Sequence, residues 1–100
     1  MWAKQTLEQL KNQEARVPDV EVHDWSVYPF RGFMHDTGRN FQTLEMLKET
    51  IDLMSLYKIN YFHWHLTDNP AWRIECKVYP QLNDPQYQRP GRDCGKFYTY

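Results

Sequence analysis

The sequence lacks an excess of charge of either sign: Lys and Arg total 12 against 13 for Asp and Glu, a formal net charge of −1. Without a basic stripe, nucleic acid and anionic membrane surfaces are poor partners, and an uncharged or polar ligand fits better. A long apolar run is also missing: none approaches the roughly 18 residues of a membrane span. Charges recur throughout residues 1–20, so no signal peptide is visible there. Cysteine is limited to Cys76 and Cys94, at no metal-binding spacing, which favours free thiols over a disulfide. What the chain does have is 41% apolar and 16% aromatic residues among its 100, a globular composition with material for a core.

Residues 59–75, Ile-Asn-Tyr-Phe-His-Trp-His-Leu-Thr-Asp-Asn-Pro-Ala-Trp-Arg-Ile-Glu, organise the rest. The first eight are nearly all apolar, aromatic or histidine, without Gly or Pro, a run that suits a strand buried on both faces. Thr67, Asp68, Asn69 and Pro70 then form a polar turn, because Pro70 biases Asn69 out of the helical region and Asp or Asn bond their own backbone in turns. In parallel α/β architectures ligands bind at the carboxyl ends of strands, so Asp68 is a candidate site residue by position alone.

Ahead of this stretch, residues 2–15 place Ala3, Leu7 and Leu10 at helical spacing among polar residues, which predicts an amphipathic helix with a narrow apolar stripe. Residues 17–29 are irregular and proline-punctuated, a connecting segment. A short strand is predicted over residues 30–34, followed by a polar loop over 35–41 that contains Gly38. From Thr43 the period becomes 3.6, with Leu44, Leu47, Ile51 and Met54 on one face, Thr43 suited to the N-cap and Glu45 to the first turn. Strand, helix, strand is a βαβ unit, which implies parallel strands and a right-handed crossover. Beyond it, residues 72–77 read as a short extended arm. Residues 79–95, with Pro80, Pro85, Pro90, Gly91 and Gly95, read as a long loop of the kind that is more often functional than idle.

Two parallel strands and one or two helices cannot cover both faces of such apolar strands or satisfy their open edges. The expectation is therefore the opening portion of a larger α/β protein.

The motif Arg31-Gly32-Phe33-Met34-His35-Asp36-Thr37-Gly38-Arg39-Asn40-Phe41, then the helix, then Phe62-His63-Trp64-His65-Leu66-Thr67-Asp68 with Trp72-Arg73-Ile74-Glu75, closely resembles the family 20 glycoside hydrolases, the β-N-acetylhexosaminidases. The resemblance runs from about Val17 to Tyr100. It implies a fragment of a (β/α)8 TIM barrel: residues 1–16 as the terminal helix of a preceding α+β domain, 17–29 as the connecting segment, and 30–100 as the first two βα units, with the remaining repeats absent.

For function the resemblance implies hydrolysis, with retention, of terminal β-linked N-acetylglucosamine or N-acetylgalactosamine from glycans, the substrate's own acetamido group serving as nucleophile. No cofactor is implied, and members are commonly exported or lysosomal. By correspondence with the family motif, Arg39 grips ring hydroxyls of the terminal sugar, and Asp68 shares that subsite or holds the arginine. Asp36, His65 and Trp72 are placed as supports or further sugar contacts, Asp36 chiefly as a hydrogen-bonding anchor of the first loop. The acidic pair that orients the acetamido group and protonates the leaving oxygen follows the fourth strand in the family, so no catalytic residue is expected in this chain.

Other readings of the same residues stand beside this one. Arg39 and Asp68 alone could form a structural ion pair. His63 and His65 share one face of a strand, and His-x-His supplies two ligands in metal-dependent barrel hydrolases, although the family uses no catalytic metal. A non-catalytic sugar-binding relative would keep Arg39 and Asp68 without the downstream acidic pair. The chain departs from the family pattern at Asn69, where many members have a second aspartate, and at His35, where an aliphatic residue is common.

Overall fold

A computed structural model describes residues 2–11, 16–17, 19–91 and 93–100. In chain order the elements are α1 (Trp2–Leu10), β1 (Gly32–Asp36), α2 (Leu44–Leu56), β2 (Tyr61–His65), β3 (Thr67–Asp68) and β4 (Ala71–Trp72), followed by two short 3-10 turns at Pro80–Asn83 and Pro85–Tyr87. The predicted end of the first helix, residues 12–15, lies outside the described residues.

α2 begins where the sequence places it. Thr43 is its N-cap, with backbone φ of −71° and ψ of 158°, and its hydroxyl accepts from Met46 N at 3.3 Å. That bond satisfies one of the amides a helix start leaves open. Thr43→Ala is expected to cost about 1 kcal/mol, read from a urea unfolding curve; an unmoved midpoint would show the cap to be idle. At the other end Lys58 takes the left-handed conformation with φ 55°, and Ile59 N reaches back to Met54 O at 3.0 Å. The helix therefore stops within two residues and hands the chain to β2.

β1 and β2 pair in parallel with Gly32 opposite Tyr61 and Asp36 opposite His65, which is the βαβ pairing expected of this spacing. Their starts are tied by Arg31 and Asn60. Arg31 N donates to Asn60 Oδ1 at 2.9 Å, Asn60 Nδ2 donates to Pro29 O at 2.8 Å, and Arg31 Nε donates to Lys58 O at 2.7 Å. These bonds occupy residues 29–31 with side-chain partners, so β1 starts at Gly32 rather than Phe30 and runs on to Asp36. The predicted loop aspartate is instead the last residue of the strand.

The polar turn after β2 is a tight antiparallel hairpin, Thr67 opposite Trp72 and Asp68 opposite Ala71, with Asn69 and Pro70 at its tip. The expectation that the strands are buried on both faces is not met within this chain: Phe33, Met34 and Tyr61 are exposed, because no further strand flanks the pair in the described residues. Among the described residues the buried apolar side chains are instead Leu47 and Met54 on α2, Ala71 in the hairpin and Tyr98 near the end of the chain. Tyr98 stacks on Phe41 with centroids 4.7 Å apart and meets Trp64 edge-on at 4.8 Å.

The long loop is more ordered than its prolines and glycines suggest. Asn83 accepts from Cys76 N at 2.8 Å and donates to Ile74 O at 2.9 Å, and Arg89 N donates to Pro70 O at 2.8 Å. Both cysteines are free.

Candidate functional site

The carboxyl ends of β1 and β2 carry Asp36 and His65, and the hairpin just beyond β2 carries Asp68. Between them lies Arg39. Its Nη1 pairs with Asp36 Oδ2, its Nη2 lies 2.7 Å from Asp68 Oδ2, and its backbone N donates to Asp36 Oδ1 at 3.0 Å. Asp68 Oδ1 accepts from the following amide, Asn69 N, at 2.6 Å. His65 Nε2 lies 3.2 Å from Asp68 Oδ2, within charge-pairing distance but without hydrogen-bond geometry.

Two carboxylates, one from the end of β1 and one from the β3–β4 hairpin, thus hold one guanidinium. The Arg39 side chain nevertheless remains 57% exposed, against 19% for Asp36 and 23% for Asp68. A guanidinium offers a planar fork of five donors, so donors remain for an outside ligand once the two carboxylates are served. Flanking it are a cleft of about 300 Å³ that includes Asn40, Arg89 and Asp93 in its walls, and a second of about 570 Å³ that includes Asn69 and Tyr87.

Burial acts to raise the Asp36 pKa, but hydrogen bonds from Arg39, its charge and that of nearby His65 together outweigh it and hold the carboxyl below its ordinary 3.8. Because the folded value is the lower one, the stability linked to this pair is complete above the unfolded value and is lost as pH falls through the folded one. Arg39 is pushed upward, first by the hydrogen bond to Asp36 and then by the charge of Asp68. The pair is therefore fully charged at neutral pH.

The sequence-predicted residues fall into two groups. Arg39, Asp68, Asp36 and His65 converge. Trp72 does not join them: it sits across the hairpin from Thr67, with its side chain about a third exposed, and it lines neither cleft beside Arg39. His63 and His65 share a face of β2 with ring centroids 6.0 Å apart, yet no third His, Cys, Asp or Glu completes a metal site among the described residues. His35, the departure from the family pattern, packs edge-on between Phe33 and Phe62.

Arg73 went unassigned in the sequence and proves to be the buried hub behind the site. Only 4% exposed, it donates from Nε to Thr37 O at 3.1 Å, from Nη2 to Gly38 O at 3.3 Å, and from Nη1 to Asp93 O at 2.6 Å and Lys96 O at 2.8 Å. Gln88 Oε1 lies a further 3.5 Å from Nη1 and accepts from Gly95 N at 2.9 Å. Burial lowers the Arg73 pKa, an effect the nearby Asp93 charge opposes, but the group stays protonated at any ordinary pH. Thr37, fully buried, sits against it. Its N and the N of Gly38 donate to His65 O at 3.1 and 3.2 Å, and its hydroxyl accepts from Trp64 Nε1 at 2.9 Å. The available signal was an arginine alternating with Trp72 and Ile74 in a short extended arm, which marks a shared strand but not which partners it meets.

Residues 28–100 match the family model described as glycosyl hydrolase family 20, catalytic domain. The chain is 46% identical over 86 residues to a beta-hexosaminidase of Porphyromonas gingivalis, an alignment covering 83% of this chain and 11% of that protein. It is 41% identical over 95 residues to a beta-hexosaminidase of Vibrio furnissii, covering 83% and 16%. Among solved structures it is similar to the beta-N-acetylhexosaminidase of Bacteroides fragilis, with a TM-score of 0.82 at 40% identity over 98% of this chain and 21% of the other. The chain thus spans between about a tenth and a fifth of the length of these proteins.

Proposed function

This chain belongs to glycosyl hydrolase family 20, and from that premise we propose that it is part of a retaining exo-β-N-acetylhexosaminidase acting on terminal β-linked N-acetylglucosamine or N-acetylgalactosamine of glycans. β1 and β2 are the first two strands of its (β/α)8 barrel, and α1 closes a preceding α+β domain. The single observation that carries the reading is the Arg39 guanidinium, held by Asp36 and Asp68 at the carboxyl ends of two parallel strands and still open on one side.

In this reading Arg39 donates to ring hydroxyls of the terminal sugar. Asp68 holds the arginine and is placed to accept from a neighbouring hydroxyl. Directed donors in a fixed plane discriminate between sugar epimers in a way that a mobile ammonium does not. The chemical step belongs to the substrate's acetamido group and to an acidic pair after the fourth barrel strand, outside these 100 residues.

The test is hydrolysis of a chromogenic β-N-acetylglucosaminide by the full-length protein. Activity should be insensitive to chelator and blocked by a thiazoline analogue of the cyclised intermediate. The isolated 100-residue chain, lacking the acidic pair, should show none. An inactive full-length protein would defeat the reading, and so would activity lost on chelation, which would move the chemistry to a metal.

A further inference from the structure

Arg39 is attached to a backbone that is gripped from two sides. The amides of Thr37 and Gly38 donate to the last carbonyl of β2, that of His65, and their own carbonyls accept from Arg73. Both residues are buried, so no water competes for these groups. The next residue is Arg39. Arg73 comes from the far side of the β3–β4 hairpin and spends its remaining donors on Asp93 O and Lys96 O of the long loop.

We propose that Arg73 is a positioning residue for sugar recognition: its buried guanidinium fixes the Thr37–Gly38 peptide groups and thereby aims the exposed guanidinium of Arg39. The inference rests on the reading of Arg39 as the sugar-binding arginine. Only a forked, planar cation can serve carbonyls lying on two sides of it; a lysine keeps the charge but presents its donors from one nitrogen. With Arg73 replaced, the Thr37 and Gly38 carbonyls must turn toward water to regain partners, and that movement swings Arg39 away from Asp36 and Asp68.

The experiment is Arg73→Lys in the full-length protein, alone and combined with Arg39→Lys, assayed at a temperature where thermal melting shows each variant folded. A misaimed Arg39 loses charged hydrogen bonds to the sugar, each worth about tenfold in binding, so Arg73→Lys should raise KM by about tenfold or more. The double variant should be little worse than Arg39→Lys, because two changes acting through one contact are not additive. A lowered Tm with unchanged KM, or fully additive effects, would mean that Arg73 merely stabilises the fold, and would overturn the inference.

Should Arg73→Lys fail to fold, Gly38→Ala moves the same segment. A methyl there would sit 3.2 Å from Asp36 Oδ1 and 3.5 Å from the Asp68 Cβ. It should raise KM and again be non-additive with Arg39→Lys; an unchanged KM would overturn the inference equally. The two readings fail differently. A wild-type protein that does not turn over the substrate, or an Arg39→Lys variant without effect, overturns the sugar-binding reading and this inference with it. An active wild type weakened by Arg39→Lys but not by Arg73→Lys or Gly38→Ala overturns the inference alone.

Discussion

Arg39→Ala in the full-length protein should lower kcat/KM for an aryl β-N-acetylglucosaminide by about a hundredfold or more, and Arg39→Lys by a smaller factor that falls on both KM and kcat. Each hydrogen bond from a charged donor is worth about tenfold in binding or transition-state stabilisation, and the guanidinium is placed to make more than one. The alanine variant has a second consequence. Asp36 and Asp68 would face each other's surroundings without the cation that both now share. Of the influences on Asp36, burial and the hydrogen bond from the backbone N of residue 39 would remain, while the side-chain hydrogen bond and the charge of Arg39 would be gone, so its pKa would rise. The activity of Arg39→Ala should therefore decline at a higher pH on the acid side than that of the wild type. Steady-state kinetics across pH 3–8 measure both effects; indistinguishable constants would remove Arg39 from the sugar site.

Arg73→Leu should destabilise the protein by about 3–5 kcal/mol, because it removes a buried donor that several backbone carbonyls share. The leucine removes a group whose charge burial disfavours, which by itself would help. Against that, it strands the carbonyls of Thr37, Gly38, Asp93 and Lys96. An unsatisfied buried acceptor costs about 1–3 kcal/mol, so the buried Thr37 and Gly38 carbonyls, together with the partly buried pair at Asp93 and Lys96, outweigh the recovered desolvation. Urea unfolding with an unchanged slope gives the number. A loss under about 1 kcal/mol would mean that the long loop opens and hydrates cheaply, contrary to the buried environment seen around Gln88 and Asn83.

The residues of the site are unequally legible in the sequence. Asp68 stands out by position, because it follows an apolar run of strand length at the place where ligands collect; Arg39 is singled out only by the resemblance of its motif to the family, and Arg73 by neither. The sequence places Asp36 in a polar loop, whereas in the structure it is the last residue of β1, because the parallel pairing runs on to set it opposite His65. Trp72 belongs to the same motif, but lines neither cleft beside Arg39 in this chain. Prolines and glycines mark 79–95 as a loop, yet Asn83 and Gln88 within it are buried. Composition reports how readily a residue is solvated, whereas burial of an amide depends on which carbonyls happen to surround it.

The sequence by itself determined what is decided within a few residues: the 3.6-residue period and Thr43 cap of α2, the strand character of 61–65, the turn at Asn69-Pro70, and the motifs that tie the chain to its family. These rest on local sterics and on hydrogen bonds spanning one turn. Only the tertiary structure decided that Asp36 and Asp68 share one guanidinium, and that Arg73 reaches the carbonyl of Thr37, 36 residues away. Such contacts exist because the parallel register sets Asp36 beside His65, bringing distant loops to one end of the strands. No local preference encodes that register; it is settled by the whole pairing of β1 with β2.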